Sequence, residues 1–253
     1  MFTWCKSCQR FLGQIPGQPP PRLRFDTCRS CPGGTTADHS ESLMTLYENL
    51  RQRARQPGLP DLQEVIDSSP LMRVDPVDLM LGMARPILME MGEADVPVHT
   101  IHHFCAFLSD LLARLIIPLP AEAPDQVLLL CSPGNQHDLG IRILQKALAR
   151  EGINAALVRP GLPAGEFNDL IKDRRPLVLG LSVADRRAGN FVRELATNCS
   201  KLERPPTIIV GGPGIHGLTI PQEPGFLEQE EDPGRFLTRV ATLCKGEPEK
   251  KVS

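Results

Sequence analysis

The stretch Pro133–Gly140 reads PGNQHDLG and directly follows an apolar run, QVLLLC, at Gln126–Cys131. A strand that breaks at a glycine and then enters a helix is the usual arrangement of a phosphate or dinucleotide loop. Such loops use small residues, yet here a histidine, His137, stands in the turn. Neither G-x-G-x-x-G nor G-x-x-x-x-G-K is present. The next apolar segment, ALVRPG, carries Arg159 near its end and offers no acidic residue to hold a ribose. Nicotinamide-dinucleotide binding of the usual kind is therefore disfavoured.

Downstream the pattern alternates. HDLGIRILQKALAREG predicts an amphipathic helix with Ile141, Leu144 and Leu148 on one face and a glycine stop. INAALVRP, PLVLGLSV and PTIIVGG predict three more strands. AGEFNDLIKDRR, ADRRAGNFVRELATNCSKL and DPGRFLTRVATLC predict the helices that follow them. Strands that are apolar on both faces and separated by helices predict an α/β fold with a parallel sheet covered on both sides. Ligands of such sheets sit beyond the carboxyl ends of the strands. Those ends are SPGNQH, VRPG, SVAD and GGPG.

Upstream, HSESLMTLYENLRQRAR places Leu43, Leu46, Tyr47 and Leu50 at i, i+3, i+4, i+7 on one helical face. LPDLQEVIDSSP predicts a shorter helix. DPVDLMLGMARPILMEMGE predicts a third, with Asp75 as N-cap and Pro76 at N1. VHTIHHFCAFLSDLLARLII predicts a fourth. Four helices with short connections predict a small bundle, whose core would include Met80, Met83, Met89 and Met91. PLPAEAPD, Pro118–Asp125, holds three prolines and reads as a linker. The chain thus divides into 1–36, a cysteine-paired module; 37–120, a helical bundle; 121–246, the α/β domain; and 247–253, a polar tail.

Composition bounds the rest. The chain has 253 residues, 41% hydrophobic and 23% charged, which suits a buried core. A net charge of −2 leaves no electrostatic footprint for nucleic acid or an anionic membrane. With 4% aromatic residues, a base-stacking surface is not expected either. No apolar stretch reaches a ~20-residue span, and MFTWCKSCQR lacks a signal core. Both predict a cytoplasmic protein.

Eight cysteines are present, four of them within the first 31 residues. Cys5-x2-Cys8 and Cys28-x2-Cys31, 19 residues apart, are close to the spacing of a tetrahedral zinc site. A 36-residue segment has too little apolar mass for its own core, so metal binding would drive its folding. Redox cysteines without metal are the alternative, although one Cys-x-x-Cys would suffice for that. Without an excess of Lys and Arg, a zinc module here suits protein contact as well as DNA reading.

Asn135-x-His137-x-x-Gly140, Ser182-x-Ala184 and Gly211-Gly212 follow the first, third and fourth predicted strands. This set resembles the cobalamin-binding domain family, with its D-x-H-x-x-G, S-x-L and G-G motifs. The upstream PILMEMGEADVPVHTIHHFCAFLSDLL is similar to the helical cap of corrinoid proteins, so the resemblance spans about residues 70–217. It implies a flavodoxin- or Rossmann-like fold carrying a tetrapyrrole. His137 would be the lower axial cobalt ligand, with Gly140 admitting the cofactor's nucleotide tail. Ser182 would hydrogen-bond the displaced base, and Gly211 and Gly212 would leave room for the tail. His102 and His103 would face the upper side of the corrin, though neighbours on a helix diverge by ~100° and at most one can do so. The family's aspartate, which orients the imidazole, is here Asn135; an amide can still accept from the ring N–H but adds no charge. The family's cap tryptophan is absent, and Ala184 stands for the leucine of S-x-L.

Three functional classes follow. The resemblance implies a tetrapyrrole-binding sensor in which occupancy, ligation or light changes contact with a protein partner, such as a transcription regulator. The second class is a corrinoid carrier working with a methyltransferase. The third is a cofactor-free flavodoxin-like scaffold. Heme accepts imidazole as cobalamin does, so the tetrapyrrole stays open. No G-x-S-x-G, H-E-x-x-H or paired-carboxylate site appears, and no unaided catalysis is expected.

Overall fold

The computed structural model describes residues 2–5, 10–14, 23–26, 38–56, 74–117, 126–135, 137–158, 162, 164–219 and 226–246. The chain forms two compact units, Met1–Ile116 and Ile117–Ser253. The expected linker at 118–125, the helix expected from LPDLQEVIDSSP and the tail at 247–253 lie outside the described residues.

In the first unit, strands β1 (Phe2–Cys5), β2 (Phe11–Gln14) and β3 (Leu23–Asp26) form a sheet of order β2-β1-β3. β1 runs antiparallel to β2 and parallel to β3. Phe2, Trp4 and Phe11 of the cysteine-paired segment are buried. They pack against the helices. The Trp4 indole N–H donates to the Gly82 carbonyl at 3.3 Å, and a Cβ on Gly82 would lie 2.4 Å from the indole and 2.6 Å from Phe11. The Arg85 guanidinium stands 5.9 Å from the Phe2 ring centroid.

Helix α1 (Ser40–Ala54) buries Leu43, Leu46, Tyr47, Leu50 and Ala54, the face that its periodicity marks. The next helical run opens as α2 (Pro76–Leu79), where Asp75 accepts from the Val77 and Asp78 N–H groups. It passes through a π turn at Met80–Ala84 and continues as α3 (Arg85–Glu93). Met80, Met83 and Met91 are buried, but Met89 is 40% exposed and does not belong to the core. Helix α4 (Val98–Arg114) buries Thr100, Phe104, Leu108 and Leu112.

The second unit is a five-stranded parallel sheet: β4 (Val127–Cys131), β5 (Ala155–Leu157), β6 (Val178–Ser182), β7 (Thr207–Gly211) and β8 (Leu227–Gln229). The order is β5-β4-β6-β7-β8, the doubly wound order of flavodoxin-like proteins. The sequence predicted four strands; β8 is the addition, an edge strand held by a two-bond pair from Arg239 to Glu228. The strands split their side chains between two cores. Val127, Leu129, Val178 and Ile209 meet Ile141 and Leu148 of α5 (Leu139–Arg150) and Phe236 and Val240 of α8 (Pro233–Lys245). Leu128, Leu130, Leu179, Leu181, Ile208 and Val210 meet Phe167 and Ile171 of α6 (Ala164–Arg174) and Val192, Leu195 and Cys199 of α7 (Gly189–Cys199).

Candidate functional site

The chain turns from β4 to β5 on one side and returns to β6 on the other, so the winding reverses between β4 and β6. Ligands of open α/β sheets bind outside the carboxyl ends at such a switch point. The loop from β4 to α5, carrying Asn135, His137 and Gly140, lies there beside Ser182 at the end of β6.

Hydrogen bonds fix that loop. The Ser132 N–H donates to Ser182 O at 2.9 Å, and the Asn135 N–H to Ser132 O at 3.0 Å. Asn135 is 4% exposed. Its Oδ1 accepts the His137 backbone N–H at 2.9 Å, and its Nδ2 donates to Ser182 O at 3.4 Å. The expected acceptor of the imidazole N–H is therefore engaged with backbone. His137 itself is exposed, and its ring forms no hydrogen bond with the described residues. Cys131, just before the loop, donates weakly to His137 O at 3.7 Å. Burial, aided by the charge of Asp138, pushes its thiol up to about 11, so it is no nucleophile at neutral pH.

The glycines separate into two kinds. Gly140, exposed in the first turn of α5, has nothing within 4 Å of an added Cβ. Gly211 and Gly212 have no such space: a Cβ would lie 2.7 Å from Glu230 O at Gly211, and 2.5 Å from Val183 O at Gly212, where φ is +103°. The sheet's own packing demands both glycines before any tail does. Ser182 is half-buried, with its Oγ 3.2 Å from that hypothetical Gly212 Cβ. Ala184 is half-buried after β6.

Sequence reasoning missed Gly214, Asp185 and Ser132. A Cβ on Gly214 would lie 2.3 Å from Asp185 N, and the Gly214 N–H donates to Val183 O at 3.0 Å. Asp185 caps its loop by accepting the Arg187 N–H at 2.7 Å. The third glycine of GGPG was the available signal. Beyond β8, burial raises the Glu230 carboxyl, whose Oε1 accepts the Asp232 N–H at 2.9 Å.

His102 and His103 lie on α4 in the first unit, both exposed. The His103 ring stands edge-on to His99, centroids 6.1 Å apart. The first unit also holds a cleft of about 410 Å³ lined by Tyr47, Arg51, Arg55, Glu90 and neighbouring side chains. Its chemistry is already satisfied: Glu90 accepts from Tyr47 Oη at 3.0 Å, Arg51 Nε at 2.6 Å and Arg55 at 3.0 Å. Burial first, and then the Glu90 charge, push the Tyr47 hydroxyl well above its ordinary value.

Cys5 ends β1 fully buried, while Cys8, Cys28 and Cys31 lie outside the described residues. Among the described residues, no group of three or more His, Cys, Asp or Glu side chains is placed to hold a metal. No helix among them is long and apolar enough to cross a membrane.

Residues 126–226 match the family model of the B12 binding domain. The chain is 28% identical over 134 residues to the HTH-type transcriptional repressor CarA of Myxococcus xanthus, covering 53% of this chain and 46% of that protein. It is 24% identical over 184 residues to the HTH-type transcriptional repressor CarH of the same organism, covering 71% of this chain and 61% of that protein. The chain thus spans about half the length of these relatives. In fold it is similar to the monomethylamine corrinoid protein of Methanosarcina barkeri, with a TM-score of 0.59, 15% identity, and coverage of 80% of this chain and 98% of that one.

Proposed function

We propose that this chain is a cobalamin-binding regulatory protein whose contact with a protein partner depends on the bound corrinoid. The observation that carries the proposal is the exposed His137 above the switch point, within the segment that matches the B12 binding domain. The donor chemistry fits: an unengaged imidazole suits a borderline metal, and the open surface at Gly140 admits a bulky ligand to the same loop. When bound, a corrinoid would supply a cobalt ion that an imidazole can ligate.

The chain's own residues would divide the work. His137 would ligate the cobalt, Ser182 would offer a hydroxyl to the cofactor's base, and Gly140 would leave room for it along α5. Gly211 and Gly212 would keep the floor of the site low. Occupancy would shift a population of conformations, with partner affinity as the readout. Both curated relatives are named as transcriptional repressors, which favours a transcription regulator as the partner.

We also propose a structural zinc held by Cys5, Cys8, Cys28 and Cys31. β1 and β3 run parallel with Cys5 opposite Asp26, two residues before Cys28 in sequence. The Cys5 N–H donates to Arg10 O at 2.8 Å, joining residues on either side of Cys8 in sequence. Purified protein is expected to hold about one zinc per chain, lost in Cys28→Ser.

The deciding experiment is a visible spectrum of the chain incubated with cobalamins or hemin, repeated with His137→Ala. A bound cobalamin whose spectrum changes in the variant is expected. No bound chromophore overturns the proposal, and hemin alone would reassign the cofactor. Light-dependent bleaching would make the sensor a photoreceptor. A methylated cofactor regenerated by a methyltransferase would make the chain a carrier instead.

A further inference from the structure

Asn135 is a buried side chain whose amide is engaged at both ends. The oxygen takes the His137 N–H, and the nitrogen gives a proton to Ser182 O. The opposite assignment would set donor against donor and acceptor against acceptor, so the orientation is fixed by its partners. Ser182 O receives a second donor, the Ser132 N–H, and Ser132 O in turn receives the Asn135 N–H. Ser182 is also the register partner of Cys131 on β4 and of Gly211 on β7. The His137 backbone therefore hangs from the middle of the sheet through the Asn135 side chain, with a weak second tie from the Cys131 thiol to His137 O.

We infer that Asn135 is a positioning residue that latches the His137 backbone to the end of β6, and does not orient the imidazole ring. The inference deepens the cobalamin reading and rests on it for the role of His137. A carboxylate at 135 could still accept the His137 N–H. At neutral pH it would have no proton for Ser182 O and would face that carbonyl oxygen to oxygen. The amide thus makes a bond that aspartate cannot. Asparagine here is a different device from the family's aspartate: it sets where the histidine stands and leaves the ring without an anionic partner. A backbone held this way fixes where the histidine stands while the ring stays free to bind or leave a metal, which suits a regulated ligand.

The two roles predict opposite outcomes for Asn135→Asp. A ring-orienting residue would gain from the negative charge, and ligation by His137 would strengthen. A latch would lose the β6 tie, and the histidine-ligated fraction of bound cobalamin, read from its visible spectrum, would fall several-fold. Amide hydrogen exchange at His137 in the cofactor-free chain supplies the second readout. It is expected to quicken at least tenfold in Asn135→Ala and to change little in Asn135→Asp, which keeps the acceptor. Thermal melts report folding; should the aspartate variant not fold, the alanine variant carries the exchange arm. Histidine ligation in Asn135→Asp equal to or above the wild type overturns the latch, as does unchanged exchange in Asn135→Ala. If the wild type takes up no cobalamin, the proposed function falls, while the exchange arm still decides the latch.

Discussion

Replacing Gly212 with alanine is expected to unfold the second unit at markedly lower temperature, with or without a ligand. The backbone at Gly212 has φ +103°, which an L-residue adopts at a cost of about 1–3 kcal/mol. Its new Cβ would also lie 2.5 Å from Val183 O and 2.9 Å from Val183 N. Val183 cannot retreat freely. Its N–H donates to Gly211 O at 2.8 Å, and its carbonyl accepts the Gly214 N–H at 3.0 Å. Losing or stretching both bonds costs roughly 2 kcal/mol more. Alanine narrows the unfolded ensemble and returns about 0.4–1 kcal/mol. The net loss is then about 2–4 kcal/mol, on the order of a 10 °C fall in Tm for a unit of this size. Gly140→Ala is the control: its Cβ meets nothing within 4 Å. Cofactor-free stability should hold or rise by up to about 1 kcal/mol, while cobalamin affinity falls at least tenfold. Urea titrations and calorimetry measure the first quantities, and spectral titration the last. A Gly212→Ala variant melting within 2 °C of the wild type would refute the packing argument.

Three further outcomes are expected. Tyr47, raised above its ordinary value by burial and Glu90, stays protonated in the folded unit when an unfolded tyrosine ionises. Its contribution to stability is complete below about pH 10 and declines as pH rises beyond; Tyr47→Phe should remove that alkaline decline in melts recorded between pH 8 and 11. Cys131 and Cys199, each pushed up to about 11 by burial, should stay unalkylated by iodoacetamide at pH 7.5 in native protein. Peptide mass mapping checks this, and rapid native labelling of Cys131 would contradict the burial. Trp4 is the sole tryptophan and is fully buried. Gly82→Ala should shift its emission to longer wavelength and cost about 1–3 kcal/mol through overpacking. An unchanged emission maximum would count against the close Trp4–Gly82 contact.

The parallel sheet was legible because β4, β6 and β7 are five-residue apolar runs with both faces buried, and glycine or helix signals bound each one. β8 escaped because Leu-Glu-Gln shows no apolar run. Its strand state comes from pairing with β7 and from Arg239, eleven residues away in sequence. The small N-terminal sheet escaped for a different reason. Its cysteine spacing dominated the reading, whereas Phe2, Trp4 and Phe11 carried a packing signal whose partner, Gly82, lies far along the chain. Met89 was misplaced because it was grouped with its neighbouring methionines by residue type, although at ~100° per residue it falls on the face opposite Met80. At the site, the positions were legible and the bonds were not. Spacing marks Asn135, but only the fold brings Ser182 O within its reach.

This contrast decides how much weight each site residue can bear. A residue that the fold already requires says little about a ligand, because it would be retained without one. Gly211 and Gly212 are required by Glu230 O and Val183 O, and Asn135 and Ser182 are joined in the loop's hydrogen bonds. His137 and Gly140 are different: one projects an exposed ring, and the other leaves open space in the first turn of a helix. Neither does packing work that a common surface residue could not do. The case for a ligand therefore rests on these two, and substitutions there should alter binding while sparing stability. His137→Ala should leave the melting temperature within about 2 °C, as expected for an exposed side chain, and abolish the histidine-ligated spectrum. If that substitution instead unfolds the unit without touching the spectrum, His137 belongs to the scaffold, and the corrinoid site must be sought elsewhere on the sheet.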